Sequence, residues 1–182
     1  MRRQEGHCFS VSSNKHRVAL CAWEVGRASS GFGAQVGGLG VVVEELPPEL
    51  LKAADARGLD LEIETLSPCF ADYDRSKLTR LDVEVTATLD GQTFPFTVYE
   101  RVIDQGIAFD GGERNSRLRM IYFWDEGQLH WTHANAIYPH DPWLGMRMYA
   151  SVCQAKAAYI AQGDFQTLHL HEYHLGLIPF YL

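Results

Sequence analysis

The chain has 182 residues, enough for one sizeable domain, with 46% hydrophobic and 21% charged side chains, a composition typical of a soluble globular protein. A formal net charge of −7 argues against a general nucleic-acid binder, which needs a lysine and arginine surplus to meet phosphates. No apolar run approaches the ~20 residues of a membrane-spanning helix, so neither nucleic acid nor membrane is expected as a partner.

The first stretch, residues 1–16, is polar and lacks the apolar core of a secretory signal, and is expected to be a disordered tail. A domain is expected over 17–182. Arg17 to Trp23 is a short apolar run suited to a buried strand, followed by a glycine-rich loop that ends in Gln35-Val-Gly-Gly-Leu-Gly40. From Val41 the spacing of Val42, Leu46, Leu50 and Ala53 predicts a helix ended by Gly58, with Pro47 and Pro48 expected to kink or split it. Leu59 to Leu66 alternates as a second strand, which completes a βαβ unit.

The middle reads differently. Leu81 to Leu89 alternates with period two, Asp90-Gly91 is a hairpin turn, and Thr93 to Val102 is the return strand, an antiparallel ribbon inserted into the sheet. Ile107 to Arg117 is polar with paired glycines and is expected to be a mobile loop. Leu118 to Trp124 is a strand and Trp143 to Gln162 a helix ended by Gly163. Gln166 to His171 is a last strand, and a helix is expected from Leu175. The fold class is therefore α/β, a Rossmann-like and mostly parallel sheet with helices on both faces and an inserted hairpin.

Cys8, Cys21, Cys69 and Cys153 are scattered without a CxxC pair, which excludes a zinc ribbon and points to a reducing compartment, cytoplasm or plastid. Two segments could carry chemistry. The glycine loop lies between a strand and a helix, where free amides and the helix dipole favour an anion; the same spacing equally describes a plain tight turn. The segment Leu168-His-Leu-His-Glu-Tyr-His174 places three histidines and a carboxylate at the C-terminal end of a strand. A zinc hydrolase on His169, His171 and His174 is one reading, but HExH fails the HExxH helical template, and histidines hydrogen-bonded within a helix–sheet junction fit better.

Together with Ala22-Trp-Glu-Val25, Leu46-Pro-Pro-Glu-Leu50, Tyr122-Phe-Trp-Asp125 and Tyr138-Pro-His-Asp141 through Arg147, these two segments resemble, in order, the opening half of the glycogen and starch synthases. The final Leu168–Leu182 stretch is similar to that family's His-x-His-Asp-Trp-His segment and its Pro-x-Tyr-Leu helix. The resemblance implies a GT-B glycosyltransferase cut before its second, nucleotide-gripping domain. It implies transfer of glucose from ADP-glucose or UDP-glucose to the non-reducing end of an α-glucan, with retention, with no metal or other cofactor, and with the fragment inactive alone. It implies that Gln35, Gly37, Gly38 and Leu39 meet the donor phosphates. His171, Glu24 and Asp141 would be the catalytic group, and Asp125, Tyr138 and Glu172 would line the acceptor and sugar cleft. The family's loop lysine is Gln35 here, its aspartate after the glycines is Val41, and its Asp-Trp is Glu172-Tyr173. The last two changes resemble the synthase-like domain of fungal α-1,3-glucan synthases, which keep the lysine. The alternative, favoured by Gln35, is a catalytically weak or inactive glucan- or nucleotide-binding module on the same fold.

Overall fold

The computed structural model describes residues 15–26, 32, 38–109, 112–126 and 137–182. Strand β1 (His16–Cys21) leads to helix α1 (Leu39–Asp55) and strand β2 (Leu61–Pro68). A two-residue strand β3 (Thr79–Arg80), β4 (Val85–Leu89), β5 (Gln92–Phe109) and β6 (Gly112–Trp124) follow. Helix α2 (Pro142–Gln162), strand β7 (Thr167–Leu170) and the short helix α3 (Ile178–Tyr181) complete the chain.

One sheet runs in the order β3-β5-β6-β2-β1-β7, with β4 paired to β5. The block β6-β2-β1-β7 is parallel, while β3, β4 and β6 each pair antiparallel with β5. Side chains alternate across it. The α1 face carries Ile63, Thr65, Met120 and Tyr122. The opposite face carries Glu64 and Phe123, which meet Tyr159 of α2. The parallel strands are apolar on both faces because a helix covers each.

Glu64 is the exception in this core. Fully buried on β2, it accepts from Arg17 of β1 at 2.6 Å, from Arg119 of β6, and from the Tyr159 hydroxyl at 2.8 Å. A buried carboxylate persists only when it is paired in this way.

Three sequence expectations need correction. Helix α1 is not split: it runs unbroken through Pro47 and Pro48, both buried, so core packing of the two rings offsets the lost N–H donors. The supposed loop over 107–117 is instead a hairpin, with β5 and β6 paired out to Phe109 and Gly112. Its run of polar residues hid it, because one buried apolar residue, Ile107, sets no period from which a strand can be read. The final helix begins at Ile178 rather than Leu175; Tyr173–Leu175 is a 3-10 turn, and Pro179 sits in the first helical turn, where its missing N–H costs nothing.

The Asp90-Gly91 turn is as expected. Both residues have positive φ, 51° and 75°, as a type I′ hairpin turn requires. The tail before residue 15 and Cys8 lie outside the described residues, while Cys21, Cys69 and Cys153 are free and buried.

Candidate functional site

Strands β1 and β7 are parallel neighbours. The chain leaves β1 toward α1 on one face, whereas β7 is reached from α2 on the other. A crevice at the C-terminal ends of such strands is where open α/β sheets bind ligands.

Gly38 is the N-cap of α1 and gives it no side-chain hydrogen bond; no acidic residue occupies the first turn. Among the described residues no side chain caps the amides there. A Cβ added at Gly38 would meet no described atom within 4 Å. Leu39 opens the helix, half-buried. Gln35 and Gly37 lie outside the described residues.

His171 follows β7 and donates its backbone N–H to Cys21 O at 2.9 Å. Its ring lies 4.4 Å from that of His169, and its Nε2 is buried without a hydrogen-bond partner. Burial, then the neighbouring His169, lowers the His171 pKa below the usual histidine value, so the ring is neutral at pH 7. Glu172 has φ 70° and ψ 163°, a region close to glycine-only that costs ~1–3 kcal/mol for other residues. Its carboxylate meets His174 Nδ1 at 3.0 Å.

Glu24, at the end of β1, is buried and accepts from the Tyr138 hydroxyl at 2.5 Å. Burial and then the Glu24 carboxylate push the Tyr138 pKa up, which keeps the phenol a donor. Asp125 is buried just past β6. Asp141 is exposed and caps α2, its Oδ1 accepting from Trp143 N at 2.9 Å and Leu144 N at 3.4 Å. The structure thus joins Glu24 to Tyr138 and Glu172 to His174, places His171 between Glu172 and β7, and engages Asp141 in a helix cap.

The three histidines do not converge. His174 stacks on Tyr138 at 5.1 Å and on Trp23 at 6.1 Å, apart from the His169–His171 pair. Among the described residues no group of three or more His, Cys, Asp or Glu is placed to hold a metal ion.

Sequence reasoning missed the support beneath the site. Lys156 of α2 is fully buried and donates to Ala22 O at 2.8 Å; Cys153, one turn earlier, donates its thiol to His174 O at 3.2 Å. One turn of α2 therefore holds the ends of both β1 and the β7 turn, and with them Glu24 and His174. The signal was a lone lysine inside an apolar helical stripe. Burial lowers the Lys156 pKa to about 8 and raises Cys21, beside it, to about 12.

The fold defines a Rossmann-like α/β domain in which β1 and β7 end side by side. Residues 17–182 match the family described as the starch synthase catalytic domain, and the chain belongs to it. Among solved structures it is similar to the catalytic domain of Starch Synthase IV from Arabidopsis thaliana bound to ADP and acarbose. The TM-score is 0.60 at 17% identity, over 91% of this chain and 29% of that one, a likeness of fold consistent with one half of a GT-B enzyme. The chain thus spans less than a third of that neighbour's length. No curated protein matches it.

Proposed function

We propose that this chain forms the acceptor-side half of a glucosyltransferase that moves glucose from ADP-glucose, or UDP-glucose, to the non-reducing end of an α-glucan with retention. The observation that carries the reading is that α1 starts by the end of β1, where Gly26 N donates to Gly40 O at 3.0 Å, and that β1 pairs in parallel with β7, the strand that His171 follows. A family member with this arrangement can set amides and the helix dipole against the charge that develops on a leaving diphosphate. Among the described residues nothing fills the space where a phosphate would approach the Gly38 backbone.

In this reading His171 is neutral and uses its unpartnered Nε2 toward the transferred sugar. Glu24, held by Tyr138, supplies fixed negative charge near the reacting carbon. Asp141, Asp125 and Glu172 complete the wall on the acceptor side. No metal is called on, since helix amides and cationic side chains of a second domain would meet the diphosphate. The ADP and acarbose of the starch synthase neighbour agree with this choice of donor and acceptor.

Alone, the chain is expected to bind ADP-glucose weakly, at millimolar affinity worth about 4 kcal/mol, and to transfer no glucose, because one wall of a cleft excludes no water and fixes no geometry. Calorimetric titration with ADP-glucose, beside an assay for labelled glucose entering glycogen, tests this. Micromolar binding or clear turnover by these residues would overturn the half-site reading.

A second reading is a non-catalytic glucan- or nucleotide-binding module. Gln35 in the place of the family lysine favours it, because a neutral amide contributes no charge to a phosphate. Turnover by a protein that also carries the second domain separates the two.

A further inference from the structure

A cavity of about 240 Å³ lies between α1 and the sheet, and neither His171 nor Glu24 lines it. Helix α1 contributes Val43 and Pro47 to its walls, β2 Ile63 and Thr65, β6 Met120, and β5 Arg101. We propose that this cavity binds a small apolar molecule carrying a single carboxylate, with its hydrocarbon part against α1, β2 and β6 and its carboxylate on Arg101.

The first observation is the space itself. Close-packed interiors leave few voids larger than a water molecule, whose share of liquid volume is ~30 Å³. The cavity here is several times that size, and Val43, Pro47, Ile63 and Met120 are all buried around it. Water held against such walls finds few polar partners, whereas hydrocarbon placed there leaves water and gains contacts. The volume falls a little below the ~300–1,000 Å³ of pockets for drug-sized ligands, which suits a molecule of one ring.

The second observation is Arg101. Its guanidinium carbon lies 4.7 Å from the centre of the Phe32 ring, and its head is beside the Tyr122 hydroxyl. Both aromatic residues line the same cavity. Arg17, Arg117 and Arg119 of the sheet each hold a carboxylate. Among the described residues no carboxylate pairs with Arg101. A half-buried guanidinium laid on an aromatic face is oriented, and its planar fork matches a carboxylate.

Charge narrows the ligand further. Glu44 is the one carboxylate among the described lining residues, and it is exposed on α1. One cation with an acid at the rim matches a monoanion and disfavours a diphosphate, whose further charges would go unmet beside Glu44.

The experiment is an NMR titration of the chain with phenylacetate, with its neutral isostere phenylacetamide and with ADP-glucose in parallel arms. Phenylacetate should shift the methyl resonances of Val43, Ile63 and Met120 and bind about tenfold more tightly than the amide, as expected for a charge-assisted contact. Arg101→Gln should bring the acid down to the affinity of the amide. Val43→Phe, which fills the cavity, should exclude both. Should that variant fail to fold, Arg101→Gln still decides, because it breaks no ion pair among the described residues. No shift of these methyls with phenylacetate overturns the proposal, as do equal affinities for acid and amide, or an acid preference that survives Arg101→Gln. Shifts of the same methyls by ADP-glucose would give the cavity to the nucleotide and overturn it too.

Discussion

At the scale of the residue, the site combines strain with unmatched polar atoms. Glu172 stays at φ 70° because its neighbours are tied down: His171 N–H to Cys21 O, and His174 to its own carboxylate. Replacing it with alanine keeps the strain and loses the carboxylate, whereas glycine removes the strain as well. Glu172→Gly should therefore be more stable than Glu172→Ala by about 1 kcal/mol in urea denaturation, the reverse of the usual order within regular structure. Equal stabilities would mean that the backbone at 172 is not strained. His171 and His169 are separable too. In a protein carrying the second domain, His171→Ala should lower kcat and kcat/KM far more than His169→Ala, since an interaction made chiefly in the transition state appears in both. Equal losses at unchanged folding would remove His171 from its proposed role.

At the scale of the element, α2 governs the site from below. Lys156 has a folded pKa of about 8 against about 10.4 for a free lysine, so between those values the unfolded chain binds more protons. Its contribution to stability then rises with pH across that window, and below it the buried charge costs about 3 kcal/mol. The thiols that face it, Cys21 and Cys153, have raised pKa values, about 12 and about 11, and act in the opposite sense. The lysine is read as the difference between wild type and Lys156→Met: their stability gap should shift in favour of wild type from pH 8 to pH 10. A flat difference would mean that Lys156 is not held as a buried amine. The Asp90-Gly91 hairpin is the simpler case. Gly91→Ala, at φ 75°, should lose about 1 kcal/mol of stability, measured by thermal melting.

Elements were legible in the sequence where period and punctuation agreed. The βαβ unit, the Asp90-Gly91 turn and helix α2 follow from apolar spacing and from Gly58, Gly91 and Gly163. The outer β5–β6 ribbon was not, because its polar residues carry no period. Of the site, the segments around Gly38 and His171 were found from their place after strands and from the family likeness. Lys156 and Cys153 were not, since they act through contacts between residues far apart in sequence. Asp141 was singled out as an acid of the cleft, and its capping of α2 shows why Asp before Pro is ambiguous in sequence alone.

At the scale of the whole molecule, exposed apolar side chains gather in the α2 start and the C-terminal segment. Phe180 is 82% exposed, Trp143 66% and Met146 62%, and among the described residues β7 has a strand partner on one side, β1. Such an edge invites pairing with another chain. The chain is expected to associate as its concentration rises, seen in sedimentation velocity, and Phe180→Asp should shift it toward monomer. A monomer at all concentrations would show that the edge and these side chains are harmless.

The buried carboxylate of Glu64 bears on how the sheet assembles. It is met from β1, from β6 and from α2 by Arg17, Arg119 and Tyr159. If β1 or β6 slid along β2 by a single residue, its arginine would turn to the other face and the buried carboxylate would lose that partner. Breaking a buried ion pair costs roughly 3–5 kcal/mol, enough to make the slipped arrangement a rare visitor. A group that adds little net stability thus works as a proofreader: it rejects misaligned strands while the chain folds, and the ends of β1 and β7 arrive level with each other.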